Sequence, residues 1–194
     1  MKSILLIIII IFIISVFLLL RLDKYEVKYI KSNIDGQEYL VRDLHDKQTA
    51  ANMLATLKRN ILTFSDYLYQ NKDSKYKDFQ TYIAQLHKRI KNVVVNESTP
   101  DSTYTSYSIN KGEQIVFCLR SKYDGSLHNM NLLMYVALHE MSHVASPTYG
   151  HDDQFKKVFA FFAKTAMDLG LYTKLDFNNI PTEYCGLIIS ESII

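Results

Sequence analysis

The stretch Val136-Ala137-Leu138-His139-Glu140-Met141-Ser142-His143-Val144 decides how this chain is read. Histidines four residues apart lie on one face of a helix, about one turn from each other, so both imidazoles can reach a single metal ion. Glu140 is offset from that face just enough to address a water on the same ion, the chemistry of metal-assisted hydrolysis. A catalytic zinc takes three protein ligands and keeps a fourth position open. Pro147-Thr148-Tyr149-Gly150 breaks the helix, and His151 opens the next one, which makes His151 the expected third ligand. Asp152 and Asp153 are its rivals, although acids are also common in the first turn of a helix. His45, His87 and His128 have no ligand spacing and are expected at the surface. Tyr149 and Tyr184 are candidates for stabilising an oxyanion.

Outward from the motif, helical patterning runs from about 129 to 146 and again from about 152 to 169, where Gly170 can end the helix. Upstream the period changes to two: Val93-Val94-Val95, an alternating stretch over 104–109, a Lys111-Gly112 turn and the run 114–119 read as strands of a small antiparallel sheet. Residues 185–189 add a last strand. Earlier still, Ala50, Leu54, Leu57, Ile61, Phe64 and Leu68 form one apolar stripe on a helix of about 25 residues. Phe79, Ile83, Leu86 and Ile90 mark a second helix, with Ser74 as the expected cap. The fold class is α+β: two packing helices, a small sheet, the motif helix and the helix after it, making one domain over residues 44–194. Residues 23–43 are expected as a stalk or a short strand pair around the Asp35-Gly36 turn.

Residues 4–20 are almost wholly apolar and would make a helix of roughly 26 Å, close to the thickness of a bilayer core. No small-residue cleavage site follows, so residues 1–22 are expected as a retained transmembrane anchor. Arg21, Lys24, Lys28 and Lys31 outnumber Lys2 across the span, which predicts a cytoplasmic soluble domain. The sequon Asn96-Glu97-Ser98 is the one hint of the opposite topology. The chain holds 22 basic and 20 acidic residues; setting aside Lys2 and Arg21 leaves 20 of each, so there is no global cationic footprint of the kind duplex DNA binding needs, and no nucleic-acid partner is expected. Cys118 and Cys185 could pair once or not at all, and neither is expected to be catalytic.

His139-Glu140-Met141-Ser142-His143 followed by Gly150-His151-Asp152-Asp153-Gln154-Phe155 resembles the motif of the WLM and SprT-like minimal zincins. The stretches 114–120 and 181–186 also resemble single-pass zincin-like proteins of large nucleocytoplasmic DNA viruses. The broader resemblance covers about residues 45–190. It implies a Zn²⁺ metallopeptidase acting on protein or peptide substrates, with His139, His143 and His151 as ligands and Glu140 as catalytic base. By analogy with zincin-like folds, the strand 114–119 would line the cleft and hold an extended substrate. Metzincins require HExxHxxGxxH, whereas Ser146 and Tyr149 stand here at the Gly and the third His. Gluzincins would require a downstream Glu, for which Glu183 is the nearest. SprT-like proteins often cleave proteins crosslinked to DNA using DNA-binding extensions; this chain has none, and its anchor argues against that substrate. Two other readings remain: a tethered structural or virion protein that keeps a zinc site without cleaving anything, and a hydrolase of non-peptide substrates.

Overall fold

The computed structural model describes residues 2–22 and 27–194, with the side chains of 7–18 in the first helix. That helix, α1, runs from Lys2 to Leu22, and its described side chains are exposed. Among the described residues, no helix is long and apolar enough to cross a membrane. The side chains of 1–6 and 19–22, the two ends of the expected anchor, and residues 23–26 of the expected stalk lie outside the described set.

The rest is a mixed α+β assembly with small sheets. Strands β1 (Val27–Lys31) and β2 (Glu38–Arg42) pair antiparallel, fulfilling the strand-pair reading of this segment. Tyr39 and Val41 of β2 are buried in the main core, so the hairpin is part of the domain and does not stand off as a stalk. Helix α2 (Lys47–Asn71) buries the Ala50-to-Leu68 stripe as its periodicity requires. Helix α3 (Gln80–Ile90) follows a 3₁₀ turn at Lys77–Phe79 and has no side-chain cap. Ser74 instead closes the turn after α2, donating its backbone N–H to Asn71 O at 3.4 Å.

The central sheet has the order β3-β5-β4, with β3 at Val94–Glu97, β4 at Tyr107–Ile109 and β5 at Gln114–Phe117. It corrects the expectation of an all-antiparallel sheet: β4 and β5 form an antiparallel hairpin, but β3 lies along the other side of β5 and parallel to it. Strand β5 is therefore interior, and its Ile115, Val116 and Phe117 are buried. The sequon begins on β3, with Asn96 half-buried and Glu97 and Ser98 buried, and Ser98, just past the strand, donates its N–H to Phe117 O at 2.8 Å.

Helices α4 (Met130–Ala145) and α5 (Asp153–Asp168) complete the core against α2 and α3, with Phe64 and Phe162 meeting edge to face at 5.5 Å. The expected single last strand is two short ones, β6 (Thr182–Tyr184) and β7 (Leu187–Ile189), turned by Cys185 and Gly186 at φ 53° and 83°. Cys185 forms a disulfide with Cys118, just beyond β5, which ties this hairpin to the central sheet.

Candidate metal centre

Helix α4 is buried nearly all round, from Leu132 to Leu138, as expected for a helix through the middle of a small domain. Asn129 starts it, its Oδ1 accepting from Leu132 N–H at 2.8 Å. Beyond its first turn, the half-buried positions of α4 are His139 and His143, which flank the buried Glu140. After Ala145 the chain turns at the exposed residues 147–150 and returns with His151, immediately before α5.

The three imidazoles converge. Nε2 of His139, His143 and His151 form a triangle with all three sides 3.1 Å. A neutral Nε2 carries either a proton or a lone pair, so of three such atoms at least two are alike and face each other unfavourably. No arrangement of protons satisfies the triangle, whereas a cation facing three lone pairs does. Zn–N bonds of about 2.0–2.1 Å on a tetrahedral ion separate the nitrogens by about 3.3 Å, so the donors present fit zinc. Burial, and then the neighbouring imidazoles, push His139 down to about 3; burial, His151 and Lys111 push His143 down to about 4. Both are neutral, and hence able to bind metal, at pH 7.

Among the described residues, the rival ligands do not join the three histidines. Asp152 caps α5, its Oδ1 accepting from Phe155 N–H at 2.8 Å, and Asp153 lies exposed in the first turn. Glu183 accepts from Gly186 N–H in the β6–β7 turn. Glu140 is 5% exposed, and burial pushes its carboxyl up to about 7. It lines a cleft of about 500 Å³ together with the three histidines.

One wall of that cleft is Thr105, Ser106, Tyr107 and Ser108, on and before β4; the other is Tyr184, Leu187 and Ile189 of the β6–β7 hairpin. Tyr135, Val136 and Phe159 add an apolar bay. The strand over 114–119, expected to line the cleft, does not: β5 is covered on both sides, and the free edge at the cleft belongs to β4. The two candidate tyrosines part company. Tyr149 is 86% exposed and outside this cleft, while Tyr184 is buried in its wall with its hydroxyl 2.5 Å from Ser106 Oγ. Ser106 Oγ also accepts from Cys118 N–H at 3.1 Å, and either hydroxyl of the Ser106–Tyr184 pair can be the donor.

No known protein-family profile matches the chain. Over 179 residues, 92% of this chain and 90% of the other, it is 41% identical to "Uncharacterized protein R325" of Acanthamoeba polyphaga mimivirus. The chain belongs to the R325 family. It is also 24% identical over 149 residues to "Uncharacterized protein 136R" of Invertebrate iridescent virus 6, covering 73% of this chain and 79% of that one. Among solved structures it is similar to Wss1 from Saccharomyces cerevisiae, with a TM-score of 0.36 and 21% identity over 52% of this chain and 85% of that chain. A Wss1 mutant gives 0.36 and 20% over 53% and 87%.

In this R325-family chain, several site residues carry no signal in the sequence. His128, expected at the surface, is buried; its Nε2 accepts from Cys185 N–H at 3.3 Å and its ring lies 5.1 Å from Tyr184. His87 is half-buried against Tyr69, and only His45 is exposed as expected. Phe155, 2% exposed, backs all three imidazoles with centroids at 4.3–5.0 Å. Only its place after His151 in the motif hints at that role.

Proposed function

We propose that the chain is a membrane-tethered zinc metallopeptidase of minimal-zincin type, with His139, His143 and His151 holding the metal and Glu140 as general base. The observation that carries this reading is the 3.1 Å triangle of Nε2 atoms, which no proton arrangement satisfies, beside a buried carboxylate facing the cleft. A purely structural zinc site has no use for that carboxylate.

Zinc, when bound, supplies Lewis acidity toward a substrate carbonyl and makes a water acidic enough to react near neutral pH. Glu140 takes the proton of the attacking water and hands it to the amine as the C–N bond breaks; a carboxyl poised near 7 suits both transfers. Tyr184 offers its phenol proton to the developing oxyanion, since burial keeps that phenol neutral well above the usual tyrosine range. An extended peptide lies between the β4 edge and the β6–β7 hairpin, with an apolar side chain in the bay of Tyr135, Val136 and Phe159.

The apolar run 4–20 and the exposed side chains of 7–18 support the membrane anchor. The cation excess after the span favours a cytoplasmic domain, whereas the Cys118–Cys185 disulfide is of a kind kept where thiols are oxidised. We take the disulfide, a covalent feature, to outweigh a small charge margin and place the domain on the oxidising side.

The test is metal analysis and peptide-library cleavage by the full chain and its Glu140→Gln variant. One zinc per chain in both proteins is expected, with cleavage lowered at least about 100-fold in the variant. Undiminished proteolysis by Glu140→Gln would remove Glu140 from the role of base.

A further inference from the structure

We propose that Lys111 is the positioning residue of the third metal ligand. His139 and His143 are held by a buried helix, but His151 stands at the end of a turn, 147–150, that is exposed throughout. Something must fix that turn if three imidazoles are to meet within 3.1 Å. Lys111, in the turn between β4 and β5, reaches it. Its Nζ donates to Ser146 O at 3.2 Å and Thr148 O at 3.1 Å, and it sits 4.0 Å from the centroid of the Tyr149 ring. One ammonium thus grips three of the five residues between Ala145, where α4 ends, and His151.

The other end of the clamp is equally fixed. Asn110, Lys111 and Gly112 are consecutive residues at φ 49°, 56° and 108°, a left-handed backbone that is unusual for a lysine. Such a conformation persists only where the surroundings impose it. At Gly112 they do: a Cβ there would lie 2.7 Å from Val144 Cγ1, on the last turn of α4, so the β4–β5 turn is seated directly against the helix that bears the two other ligands. The same helix end is held from α3, where Gln85 donates to Ala145 O at 2.8 Å and Arg89 to Val144 O at 2.6 Å. These side chains satisfy the carbonyls that a helix C-terminus leaves unpaired. Lys111 extends this support past the helix, into the turn that delivers His151. At the far side of the turn, the Asp152 carboxylate meets the Thr148 hydroxyl, closing it toward α5.

This inference rests on the metal-site reading above. The experiment compares the full chain with Lys111→Met, which keeps the stem and loses the ammonium, and with Lys111→Arg, which keeps the donor. Zinc affinity is read by chelator competition, and the cobalt-substituted protein gives the visible spectrum of the ligand field. Lys111→Met is expected to weaken zinc binding about 10- to 100-fold, the usual cost of losing a group that orients a ligand, and to change the cobalt spectrum toward that of His151→Ala. Lys111→Arg should restore most of both. In a His151→Ala background, the further loss on Lys111→Met should shrink to less than about twofold, a non-additivity that general damage to the fold does not produce. If wild type binds zinc and Lys111→Met binds it equally well with an unchanged spectrum, the positioning role is wrong and the metal site stands. If the loss is undiminished without His151, Lys111 acts on the fold and not on the ligand. If the wild type takes up no zinc, the site reading falls, and this inference with it.

Discussion

Phe155 lies nearly flat against His143, ring centroids 4.3 Å apart at 30°, while the same ring meets His139 and His151 edge-on. One buried side chain therefore fixes the orientation of all three candidate ligands, by packing where many metal sites use hydrogen bonds. Phe155→Leu keeps most of the buried volume and loses the flat surface. It should leave the fold cooperative and lower zinc affinity about tenfold in chelator competition. Phe155→Ala should also cost about 3–5 kcal/mol of stability in urea unfolding, since it opens a cavity. Unchanged zinc affinity in Phe155→Leu would show that the rings are held by other means.

Without metal, the pH dependence of stability is set by opposing groups. His139 and His143 are depressed from 6.5 to about 3 and about 4, so the unfolded chain binds their protons first and stability is lost as pH falls below 6.5. Glu140 is raised from 4.5 to about 7, so its stabilisation is present at low pH and lost as pH rises toward 7. Between pH 4.5 and 6.5 these three groups set two protons against one, which contributes about 1.4 kcal/mol of stability gained per pH unit in chelator-treated protein. Glu140→Gln removes the opposing proton and should steepen the slope measured in urea titrations by about 1.4 kcal/mol per pH unit. Equal slopes would mean that the Glu140 carboxyl is not perturbed in the fold.

The motif helix and its ligands were readable because they are local: a spacing of four fixes two imidazoles on one face, and a helix-breaking turn brings back the third. Helices α2 and α5 were readable for the same reason, through a period of 3.6. The rest depends on contacts between distant segments. The period-two pattern marks β4 and β5 as strands but says nothing of the order or direction in which strands pair, and the analogy with zincin-like folds that sets β5 in the cleft wall fails here because β4 is the edge. A lone His128 has no period to reveal that it is buried under Cys185. Lys111 contacts two backbone carbonyls, which leave no trace in side-chain patterns.

The disulfide closes a loop spanning 67 positions and holds the hairpin that supplies Tyr184 to the cleft wall. Chain-entropy reasoning assigns a loop of that length about 4 kcal/mol. Cys185→Ser should lower stability by about that amount, and wild type under a strong reductant should unfold at the same urea midpoint as the variant. The hairpin, freed from the sheet, should become the first site of limited proteolysis. A reduced wild type, with free thiols confirmed by mass, that unfolds at the oxidised midpoint would contradict this.

Away from the metal centre Arg120 is a buried charge, 2% exposed, with Nε 2.8 Å from Glu97 and Nη1 2.7 Å from Asp46. Glu97 also accepts from Arg42 N–H at 2.8 Å, so this one carboxylate links β2, β3 and the segment after β5. Burial raises the Glu97 carboxyl despite these donors, which means that its ionised form depends on Arg120 staying in place. Arg120→Met leaves that carboxylate buried and unpaired and should cost about 3–5 kcal/mol. Adding Glu97→Gln to Arg120→Met removes the stranded charge and should recover a large part of the loss, because burying two charges costs nearly what their attraction returns. Urea unfolding of the two single variants and the double variant measures the coupling. A double variant as unstable as the sum of the singles would show that Arg120 acts through packing of its stem and not through Glu97.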